Sequence, residues 1–268
     1  MKKKITAIVL SLILLFSMMA LAACSKGKDG GDKQLFVVGL DASFPPYGYE
    51  DDSGEIVGFD IDLAKEVAKR NNWEFKAQPI DWNSKDKEIN AGTIDCIWNG
   101  FTMNGREEDY EWTTAYVDNS QVIVVKAESG IKTLADLAGK TVIVQLDSSA
   151  EAAINDDENS KMVEFKNSLK ALDSVAEYNT AFLNLEAGAA DAVAMDIGVA
   201  KYQIEERGSD KYIILDEQIA QEQYGVGFKL GNTQLRDAVQ KTLDEMKADG
   251  TFQKTAETWG LTDSIIVN

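Results

Sequence analysis

The segment FDIDLAKEVAKRNNWEFKA, residues 59–77, decides the class of fold. Its apolar residues Ile61, Ala64 and Ala68 recur at helical spacing, and WEFKA then alternates between apolar and polar residues as a strand does. The apolar run QLFVVGLD, residues 34–41, precedes it, so the order is strand, helix, strand. This order is the unit of a parallel sheet with helices on its faces, and it predicts an α/β fold.

The same pattern recurs further along the chain. INAGTIDCIWNG, residues 89–100, is typical of a helix end, a glycine stop and a short apolar strand, and NLEAGAADAVAMD, residues 184–196, repeats it. We predict another helix–strand–helix unit over residues 133–154, with Gly139 ending its first helix. Such repetition favours two α/β lobes over one long sheet.

Two extended segments are predicted to join these lobes. Residues 116–129 form an apolar run with no helical pattern, and residues 214–230 are a second candidate crossing. The first lobe is then discontinuous, with residues 34–119 and 223–268, and residues 120–222 form the second lobe. Two lobes joined by two strands form a hinged cleft.

The first 33 residues are predicted to direct the chain out of the cytoplasm. A basic start, MKKK, is followed by an apolar run that ends in small residues at Ala23, which is typical of a signal peptide over residues 1–23. The alternative is a transmembrane anchor, because the run is nearly long enough to span a bilayer. LAAC, ending at Cys24, resembles the bacterial lipobox, which implies that Cys24 carries lipid (palmitate). Residues 24–33 would then be a lipidated flexible linker, and the body would be tethered to the extracytoplasmic face of the cell membrane.

Charge and composition exclude several functions. The net charge is −18, which disfavours nucleic acid and anionic lipid as partners. The chain has no histidine, so histidine acid–base catalysis, Ser-His-Asp triads and histidine metal sites are excluded. We find no phosphate-binding loop, dinucleotide fingerprint or calcium loop, and we expect no cofactor and no metal. With Cys24 committed to lipid, Cys96 is predicted to be a small buried hydrophobe without a disulfide.

Seven segments in order resemble the polar amino-acid receptors of ABC importers, within the periplasmic-binding-protein family. The segments are VGLDASFPPYGY (38–49), GEIVGFDIDLAKEVAK (54–69), AGTIDCIWNGFTMNGRE (91–107), LAGKTVIVQLDSSAE (137–151), AGAADAVAMD (187–196), QYGVGF (223–228) and DGTFQKTAETWG (249–260). The resemblance covers nearly the whole mature chain. It implies a two-lobed type II periplasmic-binding-protein fold, a monomer, and delivery of a free polar amino acid to an ABC permease and its ATPase. It implies no enzymatic step.

A free amino acid is a zwitterion, and burying either charge without a partner costs several kcal/mol. Its carboxylate suits a guanidinium, hydroxyls and backbone N–H groups, and its ammonium suits acceptors. By resemblance, Arg106 binds the carboxylate, Thr102 supplies a hydroxyl, and the backbone of Gly100 lines the pocket. The TMNGR turn is one residue shorter than the usual family motif, so the placement of Arg106 is open. The alternative is a pair between Arg106 and a local acid, Glu107 or Asp109.

The second lobe is expected to supply the other half of the site. Ser148 and Ser149 match family residues that contact the carboxylate, although Ser149 alternatively caps the following helix. Asp196 matches the acid that binds the α-ammonium, with helix capping again the alternative. Asp147 replaces a glycine usual in relatives, and it either crowds or charges the pocket or turns outward. Gln145 completes this side of the predicted lining.

Aromatic and polar residues are expected around the ligand side chain. Phe44 and Trp82 match the two aromatic rings that enclose it in relatives, with core packing as the alternative; Tyr47 and Trp98 stay undecided between site and core. Asp41 matches an acid at the pocket edge, or it organises its own loop as an Asx turn. Asn99 and Met195 are expected beside Trp82.

Two rival functions and the ligand itself stay open from the sequence. One rival is a sensory amino-acid-binding module. The other is a dehydratase on the same scaffold, in which Asp196 would act as general acid. Glutamine, cystine and arginine are not ranked as ligands.

Overall fold

The computed structural model describes residues 33–267. The predicted signal peptide, the lipidation site Cys24 and the linker as far as residue 32 lie outside the described residues. Within residues 33–267, no helix combines the length and the apolar character needed to cross a bilayer.

The described chain alternates strands and helices. The strands are β1 (Leu35–Leu40), β2 (Ser43–Phe44), β3 (Gly48–Glu50), β4 (Ile56–Val57), β5 (Glu74–Pro79), β6 (Cys96–Ile97), β7 (Glu111–Trp112), β8 (Val117–Lys126), β9 (Thr141–Gln145), β10 (Ala171–Val175), β11 (Ala192–Asp196), β12 (Tyr212–Ile214), β13 (Ala220–Tyr224) and β14 (Gly227–Phe228). The α-helices are α1 (Phe59–Arg70), α2 (Lys85–Ala91), α3 (Ser149–Ile154), α4 (Ser160–Ser168), α5 (Tyr178–Ala187), α6 (Ile197–Arg207), α7 (Thr233–Ala248) and α8 (Thr251–Thr258).

The first lobe is built on a five-stranded sheet in the order β5-β1-β6-β14-β7. Strands β5, β1 and β6 are parallel, and β14 runs antiparallel to both of its neighbours. Side chains of Phe36, Val38 and Leu40 are fully buried, as is Cys96, which confirms its prediction as a buried hydrophobe. The strand–helix–strand unit of residues 34–77 therefore forms as the sequence predicts. Helices α1, α2, α7 and α8 belong to this lobe.

The second lobe is built on a six-stranded sheet in the order β10-β9-β11-β8-β12, with β13 also pairing to β8. Strands β10, β9 and β11 are parallel, whereas β8 is antiparallel to its partners. Helices α3 to α6 pack around this sheet. The two sheets confirm the predicted two-lobed α/β architecture.

The chain crosses between the lobes along β8 and β13. These strands pair antiparallel, from Val117 opposite Tyr224 to Gln121 opposite Ala220. We call residues 117–121 and 220–224 the hinge strands. The lobe boundaries placed at residues 119/120 and 222/223 fall within them and stay a prediction.

One predicted helix is wrong. The first helix expected in residues 133–154 is only a 3₁₀ turn, Leu134–Leu137. Its start is fixed by a capping box in which Thr133 and Asp136 exchange hydrogen bonds, and Gly139 reverses the chain with a φ of +73°. The segment between these two signals is too short for an α-helix.

Candidate binding site

A cavity of about 290 Å³ is bordered by ten of the eleven residues predicted for the site. First-lobe residues lie on one side and second-lobe residues on the other. The ten are Asp41, Phe44, Trp82, Asn99, Gly100, Thr102, Gln145, Ser148, Ser149 and Asp196. The remaining residue, Arg106, contacts two of them.

The guanidinium of Arg106 reaches across from the first lobe to the second. Its Nη1 donates to the carbonyl oxygen of Thr102 (3.3 Å) and to Oγ of Ser149 (3.2 Å). Within residues 33–267, no carboxylate forms an ion pair with it, so the alternative pairing with Glu107 or Asp109 is not found. The guanidinium is therefore left with donors available for an anion.

The short TMNGR turn is held by its own backbone and by the hinge. The N–H of Arg106 donates to the carbonyl of Met103 (2.9 Å), and Oδ1 of Asn104 accepts from the N–H of Gln223 (2.8 Å). The Arg106 carbonyl accepts from Nε1 of Trp112 (2.9 Å). Gly105 takes a φ of +78°, a left-handed conformation that closes the turn.

Ser148, rather than Ser149, caps helix α3. Its Oγ accepts from the N–H of Glu151 (3.1 Å), whereas the hydroxyl of Ser149 faces Arg106. The alternative that Ser149 caps the helix is therefore wrong, because the hydroxyl of the preceding Ser148 makes the cap.

Asp147 turns away from the cavity. Its backbone adopts a left-handed φ of +60°, and its half-exposed carboxylate forms an ion pair with the buried ammonium of Lys85 in the first lobe. Asp147 therefore neither crowds nor charges the cavity, and it joins the two lobes at the cleft edge.

Asp196 ends β11 with its carboxyl group buried at the hinge. Oδ1 accepts from Nδ2 of Asn119 (2.8 Å), Nε2 of Gln121 (2.8 Å) and the hydroxyl of Tyr224 (2.5 Å). Its side chain makes no capping bond to helix α6, so the capping alternative does not apply. Burial, and next the charge of Glu222, raise the pKa of Asp196 to about 7.

Three hinge residues were not predicted for the site. Glu222 on β13 is buried, and its Oε1 accepts from the hydroxyl of Thr102 (2.9 Å) and from the side-chain amides of Asn119 and Gln121 (2.7 and 2.8 Å). The available signal was the alternation of Asn119 and Gln121 along strand β8, which places both amides on one face. Nothing local distinguished Glu222 from the neighbouring exposed polar residues.

Gly100 is required by the backbone at the cavity floor. Its φ is +59°, and a Cβ atom there would lie 2.8 Å from Cε1 of Phe44. Its N–H donates to Oδ2 of Asp60 (2.6 Å), a fully buried acid whose pKa burial raises to about 7. Only glycine fits this position without strain.

Two aromatic side chains flank the cavity, and two do not. Phe44 is buried with its ring centroid 6.0 Å from that of Tyr178, and Trp82 is half-buried edge-on to Phe101 at 5.5 Å. Tyr47 and Trp98, the undecided pair, are buried in the core and do not border the cavity, and Met195 is likewise fully buried in the core.

Asp41 borders this cavity and also a second cavity. Oδ1 accepts from the N–H of Ser43 (2.9 Å), as an Asx turn requires, while Oδ2 accepts from Nε2 of Gln145 across the cleft (2.6 Å). Asp41 therefore organises its loop and faces the cavity at once. Burial raises its pKa to about 6.

The second cavity, of about 390 Å³, continues from Asp41 and Trp82. Two further acids, Asp81 and Glu177, also border it. The site thus combines a guanidinium at one end, a buried acid at the hinge, and a group of acids at the far side. Within residues 33–267, no cluster of three or more acids, cysteines or histidines is arranged to hold a metal ion.

Known proteins similar to this chain include amino-acid-binding proteins. The L-cystine-binding protein TcyJ of Escherichia coli is 28% identical over 231 residues, covering 85% of this chain and 83% of the relative. The arginine-binding extracellular protein ArtP of Bacillus subtilis is 27% identical over 258 residues, covering 96% and 98%. An ABC uptake transporter substrate binding protein from Streptococcus pneumoniae, crystallised with bound histidine, matches with a TM-score of 0.79 at 32% identity, covering 84% of this chain and 92% of that chain.

A family model described as bacterial extracellular solute-binding proteins, family 3, matches residues 36–262. The match spans both lobes and both hinge strands. The chain belongs to the bacterial extracellular solute-binding proteins of family 3.

Proposed function

We propose that this protein binds a free polar amino acid between its lobes and delivers it to an ABC permease driven by an ATPase. The observation that carries the proposal is the pairing of opposite charges at one cavity. The guanidinium of Arg106 contacts two residues that border the cavity, Thr102 and Ser149, and the carboxyl of Asp196 borders it from the second lobe. Within residues 33–267 neither Arg106 nor Asp196 has an ion-pair partner. A zwitterion supplies both missing charges.

Each end of the ligand then has a defined partner. Arg106 and the hydroxyl of Ser149 hold the α-carboxylate through charge-assisted hydrogen bonds, and Asp196 and the Thr102 hydroxyl accept from the α-ammonium. Phe44 and Trp82 enclose the side chain, with Gly100, Asn99, Gln145 and Ser148 completing the lining. Because these contacts come from both lobes, the ligand favours the closed state and shifts the open–closed equilibrium toward it.

The acids beyond the α-carbon favour a cationic side chain. Asp41, Asp81 and Glu177 border the space into which the side chain extends, while no lysine or arginine borders either described cavity. ArtP, whose name gives arginine as its ligand, and the neighbour structure with bound histidine support this choice. We therefore place arginine, lysine and histidine ahead of glutamine and cystine.

The cellular arrangement is part of the same proposal. Cleavage before Cys24 and lipidation of that residue would tether a monomer, through residues 24–33, to the extracytoplasmic face of the cell membrane. The lobes are residues 34–119 with 223–268, and residues 120–222. Binding makes and breaks no covalent bond.

Cys24→Ala should release the protein from the membrane fraction, and its retention there would exclude this anchor.

Thermal unfolding tests the proposal directly. Residues 25–268 are unfolded and refolded to remove carried-over ligand, then melted with each of the twenty amino acids and with cystine. A ligand at a hundredfold its Kd adds about 2.7 kcal/mol of stability, which is a rise in Tm of roughly 5–10 °C for a protein of this size. Arginine, lysine or histidine should give the rise, and Arg106→Ala should abolish it. If no amino acid raises the Tm, the proposed function is wrong; if only cystine or glutamine does, the side-chain assignment is wrong.

A further inference from the structure

Glu222 and Asp196 form a buried pair of acids at the hinge. Both residues are at least nine-tenths buried, at 7% and 4% exposed. The side-chain nitrogens of Asn119 and Gln121 each donate to Oδ1 of Asp196 and to Oε1 of Glu222, at 2.7–2.8 Å. Because each NH₂ group has two protons, one for each acid, the two amides hold the two carboxyl groups side by side.

The groups that directly contact this pair are hydroxyls and side-chain amides. The hydroxyls of Tyr224 and Tyr178 approach Asp196 at 2.5 and 3.5 Å, and the hydroxyl of Thr102 donates to Glu222 at 2.9 Å. The charged and titratable groups around the pair are the phenol of Tyr47, the acids Asp41 and Asp60, and the guanidinium of Arg106.

No lysine or arginine among residues 33–267 forms an ion pair with either Asp196 or Glu222. Two adjacent carboxyl groups away from water ionise in two separated steps, because the second negative charge is opposed by the first. In the empty cleft, the pair therefore retains one proton to higher pH than a single exposed acid would. The raised pKa of Asp196 agrees with this.

We propose that Glu222 is a positioning residue of the amino-acid site, and that it shares one proton with Asp196 until the ligand's ammonium arrives and displaces that proton to water. This rests on the proposed function, because it takes Asp196 as the ammonium acceptor. The proton leaves a carboxyl O–H, the ammonium keeps its three protons, and the pair passes from one negative charge to two. Glu222 also accepts the hydrogen bond donated by the Thr102 hydroxyl, which leaves the lone pairs of that oxygen for the ammonium.

Proton release makes binding depend on pH. For an apparent pKa near 7, the fraction of the pair that is fully ionised rises from about 0.09 at pH 6 to about 0.9 at pH 8, so the association constant rises roughly tenfold over that range. At pH 7, binding should release about half a proton. Glu222→Gln keeps an acceptor for Thr102 but removes the neighbouring charge, so the ionisation of Asp196 moves to lower pH.

Calorimetry in two buffers of different ionisation enthalpy measures the released protons. The unmodified protein should release about half a proton at pH 7, and Glu222→Gln at most half of that amount. Asp118→Asn is the matched control, because Asp118 is an exposed acid on the same hinge strand as Asn119, and it should match the unmodified protein. Equal release by Glu222→Gln and the unmodified protein would overturn the proposal, as would binding without any release.

A titration without ligand separates this proposal from the proposed function. With ¹³C-labelled aspartate side chains, the unliganded protein should show a carboxyl resonance that titrates near pH 7, is absent in Asp196→Asn, and titrates at lower pH in Glu222→Gln. If no amino acid binds, the proposed function fails while this titration still decides the shared proton. If an amino acid binds but the Asp196 resonance titrates near pH 4, the shared proton is excluded and the proposed function stands.

Discussion

The ion pair between Lys85 and Asp147 crosses the cleft between the lobes. Breaking it tests how much this one contact stabilises the closed state. Lys85 is the first residue of α2 in the first lobe, and Asp147 follows β9 in the second. The Lys85 side chain is 2% exposed, whereas that of Asp147 is 48% exposed. The Lys85 ammonium also lies 5.4 Å from the ring centroid of Trp82. The pair thus closes the cleft beside the proposed side-chain site.

Asp147→Asn is the informative change, because asparagine tolerates the left-handed φ of +60° at this position. Removing one partner of a fully buried pair costs about 3–5 kcal/mol, and an exposed pair contributes at most about 1 kcal/mol. With one partner buried and the other half exposed, we expect about 2 kcal/mol. This penalty acts only on the closed state, because opening returns Lys85 to water.

The affinity for the amino acid should therefore fall about 30-fold, since about 1.4 kcal/mol corresponds to a factor of ten. Titration calorimetry measures it, and X-ray scattering of the liganded variant should show a smaller closed fraction. In Asp147→Asn combined with Lys85→Met, the loss should be smaller than in Asp147→Asn alone, because no unpaired ammonium is then buried.

Glu245→Gln is the matched control, because its ion pair with Lys241 lies within helix α7 and does not cross the cleft. It should leave the affinity unchanged within twofold. An affinity of Asp147→Asn within twofold of the unmodified protein would refute the reasoning. A fall in the Tm of the unliganded variant large enough to explain the loss would also refute it, since the effect would then be on folding.

Three further predictions concern the cavity. Arg106→Lys should weaken binding by at least tenfold in calorimetry, because an ammonium point charge replaces the two-donor fork of the guanidinium. The Tm without ligand should stay within about 2 °C of that of the unmodified protein. Unchanged affinity would mean that the ligand carboxylate binds at another place. Gly100→Ala should lower the free energy of unfolding in urea by about 1–3 kcal/mol, through its positive φ and the clash with Phe44, and a neutral result would contradict the backbone argument. Affinity for a cationic amino acid should fall more steeply below pH 6 than affinity for glutamine, because Asp41 with its pKa of about 6 becomes neutral there, and Asp41→Asn should remove the difference between the two ligands.

Local signals predicted the regular elements well. The helix over residues 59–70 and the two helix–glycine–strand repeats formed as predicted, because apolar spacing and a glycine in the left-handed region act within a few residues. The 3₁₀ turn at Leu134–Leu137 was the exception. There the capping box that starts at Thr133 and the chain reversal at Gly139 lie too close together for an α-helix to form between them.

The cavity lining was largely predictable, and the hinge was not. Family resemblance placed ten residues around one cavity, and their roles stay proposals. The orientation of Asp147, the cap at Ser148 and the cluster around Glu222 depended on partners that are distant in sequence. Glu222 meets Asn119 and Thr102 across more than 100 residues of chain. No local sequence pattern predicts contacts between residues so far apart in the chain.

The sequence by itself determined the α/β class, the two lobes, the crossing strands and the residue types available to meet a zwitterion. Those properties follow from periodicity, composition and short-range capping, which depend only on the residues within each segment. Tertiary structure decided which charges find partners. It paired Lys85 with Asp147, left the guanidinium of Arg106 without an acid among the described residues, and placed Glu222 beside Asp196. The strength of a charge interaction depends on distance and on burial, and both are fixed only when the lobes and the hinge strands come together.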